Sequence, residues 1–231
     1  MRRTLLPLVA VVLSGCGLAS FAGDPGPTRS EDREITAVSE VELTTSGDLT
    51  LTTGPTPSLR ITAGRDVLPH LTSEVHGDRL VLGTKGSVGS LGEVRYDLVV
   101  PAVHAVELSG SGSISAGSPS ALTGIELSGS GEVRADGLDV DALTVDLSGS
   151  GAVTLSGRAD RQTVEIDGSG DYSAAALDSR DAEVTVAGSG TADVQVTGTL
   201  KAVIEGSGTI THGGGARVQT DIEGSGTVEE R

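Results

Sequence analysis

From residue 106 onward the chain repeats one arrangement of apolar and polar positions. An apolar residue, a polar one and a second apolar one come just before a Gly-Ser-Gly tripeptide, as in Val106-Glu107-Leu108, Ile125-Glu126-Leu127, Val145-Asp146-Leu147 and Val164-Glu165-Ile166. Another apolar position follows two residues after the last glycine, as at Ile114, Val133, Val153 and Tyr172. The tripeptide begins seven times, at Gly110, Gly129, Gly149, Gly168, Gly188, Gly206 and Gly224, with spacings of 18 to 20 residues. Alternation sends residues two apart to the same face of a strand. A fixed period near 19 marks stacked repeats, each burying its apolar face on its neighbours. Stacked in register, the repeats form three apolar columns, running from Val106 to Thr220, from Leu108 to Ile222 and from Ile114 to Val228. Three such columns around a recurrent glycine corner are what the interior of a parallel β-helix requires. The glycines let the chain bend and let rungs approach with no Cβ between them. The middle Ser is expected to satisfy polar groups at the bend. The variable stretches around Asp136–Asp139 and Ala174–Asp181 are expected to be the other corners.

Residues 34–105 are less regular but also read as strands. Val41-Glu42-Leu43 through Leu49 superposes on Val106 through Ile114, with Thr45 in place of the first glycine, and reads as a divergent rung. Strand signals also occur at Ile35–Val38, Leu59–Ile61 and Val94–Val100. Gly77-Asp78, between Val75 and Leu80, has the chemistry of a tight hairpin. No helical period occurs, so the chain reads as all-β. An atypical first part is expected where a solenoid must cover its open end.

Composition narrows the core. Among 231 residues there is no Trp, and Phe21, Tyr96 and Tyr172 are the aromatics, so small branched side chains must fill the interior. A formal net charge of -16 argues against nucleic acid or an anionic lipid surface as partner.

The N-terminus reads as a targeting segment. Arg2 and Arg3 precede the apolar stretch Leu5–Leu13, which is too short to span a bilayer and has the length of a signal-peptide core. Leu13-Ser14-Gly15-Cys16 resembles the bacterial lipobox, in which the Cys is acylated and becomes the mature N-terminus. The expectation is a signal peptide over 1–15, a lipidated N-terminus and flexible linker over 16–33, and one β domain over 34–231. Cys16 is the only cysteine, so no disulfide forms within that domain. Acyl chains on Cys16 would place the protein at the membrane, on its extracytoplasmic face.

With the lipobox, the irregular β segment and the Leu-Ser-Gly-Ser-Gly repeat in view, residues 34–231 resemble the putative auto-transporter adhesin head (GIN) domain family, a domain of unknown function. The resemblance implies a right-handed β-helix in a secreted or surface-anchored bacterial protein. It supplies no catalytic motif and no ligand.

The sequence carries few residues in arrangements that support chemistry. The dinucleotide fingerprint needs a third glycine where Ser115, Arg134 and Thr154 stand, so Gly-Ser-Gly is a corner and not a phosphate loop. His70, His76, His104 and His212 lack metal-ligand spacing and are expected at the surface. No catalytic residue and no cofactor is assigned. The residue between the first two apolar columns is acidic in four successive rungs: Glu107, Glu126, Asp146 and Glu165. Like charges opposite one another destabilise a sheet. The candidate site is therefore this acidic ladder, as an exposed face taking a basic partner or divalent cations through oxygen ligands. The leading reading is a lipid-anchored, non-enzymatic envelope protein that binds, adheres or scaffolds. The alternatives are a β-helix carbohydrate-active enzyme and a self-assembling structural element.

Overall fold

The computed structural model describes residues 25–86, 90–119 and 121–231. Cys16, the 1–15 segment and the start of the 16–33 linker lie outside them. Among the described residues there is no α-helix, and a single 3-10 turn spans Leu68–His70.

The regular part consists of β8 (Ala105–Leu108), β9 (Ser113–Gly117), β10 (Gly124–Gly129), β11 (Glu132–Gly149), β12 (Ala152–Gly168), β13 (Asp171–Gly188), β14 (Thr191–Gly206), β15 (Thr209–Gly213), β16 (Arg217–Gly224) and β17 (Thr227–Glu230). Each rung pairs in parallel with the next, and the whole is a β-solenoid of about seven turns. The register is the one the repeat predicts. Val106, Ile125, Val145, Val164, Val184, Ala202 and Thr220 stand opposite one another in sequence. Leu108, Leu127, Leu147 and Ile166 make the second column, and Ile114, Val133, Val153 and Tyr172 the third. All of these side chains except that of Thr220, on the last rung, are buried. Each fully buried Leu, Ile or Val contributes roughly 1.5–3 kcal/mol.

The Gly-Ser-Gly corner works through the backbone. The amide of the middle Ser donates to the first glycine's carbonyl one rung earlier, as from Ser169 to Gly149 at 2.8 Å. The residue after the second glycine donates to the preceding second glycine, as from Asp171 to Gly151 at 3.0 Å. The sequence assigned this task to the Ser side chain; stacked peptide groups perform it instead. Gly168 has φ +123, and a Cβ there would lie 2.6 Å from Gly149 O. The other corners do not interrupt the strands. They are register shifts inside β11, β12 and β13, between Ala135 and Leu138, Thr154 and Ser156, and Ala174 and Asp178.

The first part reorders the chain. It comprises β1 (Thr28–Arg33), β2 (Glu40–Leu43), β3 (Asp48–Thr53), β4 (Ser58–Gly64), β5 (Leu71–His76), β6 (Arg79–Thr84) and β7 (Arg95–Val100). β2 and β3 form the divergent rung, with Val41 on Val106, Leu43 on Leu108 and Leu49 on Ile114. β6 and β7 stack on the opposite side of that rung, with Leu80 on Val41 and Tyr96 on Leu49. The rung later in sequence is thus the outer one. β5 turns into β6 through Gly77-Asp78 as an antiparallel hairpin, with Gly77 at φ +69. β4 then lies antiparallel on β7, and β1 antiparallel on β4. Antiparallel strands therefore close this end of the solenoid.

Two segments differ from what the sequence predicts. Residues 28–33 are not flexible linker: Ser30 meets Thr62 at 2.9 Å and Asp32 meets Arg60 at 2.7 Å across the β1–β4 pair. Polar cross-strand pairs hold β1, and its largely exposed residues carry no apolar alternation to signal a strand. Ile35–Val38 is not a strand, because no strand lies beside it. It carries the chain from the cap to β2 and buries Val38 on the way.

Candidate functional site

The middle residue of each apolar-polar-apolar triplet points outward, and parallel stacking sets these residues in a line. Glu42, Glu107, Glu126, Asp146 and Glu165 stand on successive strands, each directly opposite the next. The predicted ladder of four carboxylates is in register and extends by one, to Glu42. Thr185 follows Glu165.

Arg79 on β6 covers the first steps of the ladder. Its guanidinium donates to Glu40 Oε2 at 3.1 Å, to Glu42 Oε2 at 3.1 Å and to Glu107 Oε2 at 2.8 Å. The hydrogen bonds to Glu40 and Glu42 raise the Arg79 pKa above the ordinary guanidinium value. Arg79 belongs to the outer rung, so only the reordering of the first part brings it to these carboxylates. Beyond its reach, Glu126, Asp146 and Glu165 are exposed and make no ion pair among the described residues. On the next column of the same face, Lys201 pairs with Glu183 at 2.6 Å.

Shallow grooves run between these side chains. One of about 130 Å³ lies between Arg79, Glu107, Glu126 and Asp146, and one of about 340 Å³ between Glu126, Asp146, Glu165 and Asp167. A wider groove near β1, of about 970 Å³, contains Asp32, Arg60 and Asp97, but its Asp32 is already bound to Arg60. The expectation of cation binding finds no coordination sphere. Among the described residues no three His, Cys, Asp or Glu side chains gather where one ion could be held. The physical cause is the stacking itself: parallel neighbours about 4.8 Å apart project their carboxylates side by side, not toward a common point.

The histidines divide. His70, His76 and His104 are exposed, as expected. His212 is not a surface residue: it is buried, and its Nδ1 has no hydrogen-bond partner among the described residues. It stands two residues after Ile210, on the inward parity, and stacks on Val194.

Sequence reasoning also missed a polar group inside the solenoid. Tyr172 Oη donates to Gln162 Oε1 at 2.8 Å, and Gln162 Nε2 donates to Ser179 Oγ at 2.8 Å. All three residues are buried. Burial pushes the Tyr172 hydroxyl far above the ordinary tyrosine range. The signal was available: Gln162 precedes Val164 by two, which places it inward, where Leu143 and Leu200 occupy the same column. This chain of donors is internal and touches no groove.

A filled interior, backbone corners and an outward acidic face define a β-solenoid repeat protein. The chain belongs to the family described as putative auto-transporter adhesin, head GIN domain, whose pattern matches residues 37–216. Solved structures share the fold. A putative adhesin from Bacteroides fragilis is 19% identical, with a TM-score of 0.79 over 89% of this chain and 97% of that one. A putative adhesin from Parabacteroides merdae is 23% identical, with a TM-score of 0.69 and the same shares of each chain. A putative lipid binding protein from Parabacteroides distasonis is 23% identical, with a TM-score of 0.71, again over 89% and 97%. At these identities the likeness is one of fold. No curated protein sequence matches the chain. A family of adhesin heads points to the cell surface or envelope.

Proposed function

We propose that the chain is a non-enzymatic adhesive protein of the bacterial envelope, held at the extracytoplasmic face of the membrane by acyl chains on Cys16. The observation supporting the adhesive reading is the run Glu126, Asp146, Glu165, exposed on three successive rungs and without ion pairs among the described residues. Aligned like charges cost stability, and a cationic partner surface would offset that cost. Family membership favours an adhesive role over catalysis. The partner chemistry is a basic polymer or protein surface, and the net charge of -16 argues against nucleic acid.

Adherence of cells displaying the chain tests this reading. The triple variant Glu126→Gln/Asp146→Asn/Glu165→Gln is expected to lose most adherence, because it keeps shape and removes charge. Unchanged adherence removes the ladder from the function. The anchor is tested separately by palmitate labelling, which Cys16→Ala is expected to abolish; a variant that still labels refutes the anchor.

A further inference from the structure

The two ends of the solenoid are built differently. Antiparallel strands close the first end. At the other, β16 pairs with β14 and β17 with β15, and among the described residues neither has a partner on its outer side. The inward residues of β16 are Val218, Thr220 and Ile222, stacked on Leu200, Ala202 and Ile204. Ile204 is fully buried, whereas Ile222 is 42% exposed. An open edge carrying apolar side chains is a template for another strand.

The sequence of that edge is complementary to itself. Turned antiparallel about Thr220, β16 places Arg217 opposite Glu223, Val218 opposite Ile222, Gln219 opposite Asp221 and Thr220 opposite Thr220. The Arg217–Glu223 pair, made twice by the two-fold symmetry, joins opposite charges, Gln219 can donate an amide hydrogen to Asp221, and inward residues meet inward residues. A slip of one residue sets inward positions against outward ones. A centre on Asp221 sets that carboxylate against itself. We propose that β16 pairs antiparallel with β16 of a second copy, joining two solenoids tail to tail about a two-fold axis at Thr220.

The pairing is isologous and the far ends are capped, so assembly stops at two copies. It continues the apolar interior across the junction and covers Ile222. It also sends the two N-terminal ends apart, because β1 lies at the capped end. With the seven regular rungs plus the β2–β3 and β6–β7 rungs in each copy, and about 4.8 Å per rung, the joined solenoid is about 85 Å long. Taken with the Cys16 anchor, on which this last step rests, the dimer bridges two facing membranes through the β16 edge, a contact separate from the one the acidic ladder makes with a basic surface.

Charge exchange at one pair of positions tests the pairing. The full chain in mild detergent is expected to show the mass of two copies by light scattering. Arg217→Glu alone and Glu223→Arg alone each oppose like charges, and each is expected to raise the dimer dissociation constant about tenfold or more. Mixing the two variants sets opposite charges face to face and is expected to restore a mixed dimer. Both side chains are exposed, so the variants keep the fold. A wild-type chain that stays single at every soluble concentration overturns the pairing, as does a mixture that does not associate. As a second measurement, Thr220→Cys is expected to form a cross-linked dimer on oxidation, beyond any cross-link the parent makes through Cys16; its absence also overturns the pairing. Vesicles carrying the anchored chain test the bridge. Clumping of mixed Arg217→Glu and Glu223→Arg vesicles, with neither clumping alone, supports it. Dimers in detergent without clumping refute the bridge and leave the pairing standing.

Discussion

Tyr172 gives its buried hydroxyl hydrogen to Gln162 at 2.8 Å, inside a core built mostly of aliphatic columns. The other buried tyrosine differs. Among the described residues Tyr96 Oη has no partner in good hydrogen-bond geometry, although the Thr45 side chain approaches it. Removing the two hydroxyls should therefore have opposite consequences. Tyr172→Phe leaves Gln162 Oε1 without its donor and is expected to cost about 1–3 kcal/mol. Tyr96→Phe is expected to be neutral or stabilising. Chemical denaturation midpoints of the two variants check the contrast, and equal losses would contradict it.

Alkaline stability should follow the same pair. Burial raises both hydroxyls above the ordinary value of 10.0. Above about pH 10 the unfolded chain releases tyrosine protons that the folded chain retains. The unfolded state then binds fewer protons, so stability falls as pH rises, by up to about 1.4 kcal/mol per pH unit for each tyrosine. Below that range their contribution is constant. Tyr172→Phe should make the decline shallower by one tyrosine's share, measured as the melting temperature between pH 9 and 11.

The corner glycines should not tolerate a methyl group. Gly168→Ala forces φ near +123 on a residue with a Cβ, which would also press on Gly149 O. The expected cost is about 1–3 kcal/mol for the backbone alone. Gly117→Ala is the control: its φ is ordinary and nothing lies within 4 Å of the added carbon. It should be neutral or stabilising by a few tenths of a kcal/mol, because the unfolded chain loses freedom. Thermal melts of both variants check the difference.

Salt should stabilise the acidic face. Glu126, Asp146 and Glu165 stand in line with no basic side chain paired to them among the described residues, so added sodium chloride is expected to raise the melting temperature by screening. Glu126→Gln/Asp146→Asn should flatten that dependence. Calcium at matched ionic strength should add nothing specific, since the carboxylates do not converge. Arg79→Ala should lower stability by about 1 kcal/mol, a modest value because Arg79 is partly exposed, and more at low salt.

Much of the regular array was legible because its period and its alternation are local signals. Val106, Leu108 and Ile114 recur at one spacing, and stacking such repeats admits one register. Gln162 and His212 obey the same parity. Their residue types obscured it: a polar side chain at an inward position reads as surface until its neighbours are known. β1 was not legible, because its strand is held by polar pairs with β4 and buries no alternating face.

By itself, the sequence determined the rung, its three columns and the outward place of the acidic ladder, since each follows from side-chain alternation and one repeat length. Only the tertiary structure decided that β6 and β7 stack outside β2 and β3, that Arg79 thereby reaches Glu42 and Glu107, and that the carboxylates stand side by side without converging. Those outcomes depend on which strands far apart in sequence exchange hydrogen bonds. That choice is made by burying Leu80 and Tyr96 against Val41 and Leu49, and no local pattern encodes it.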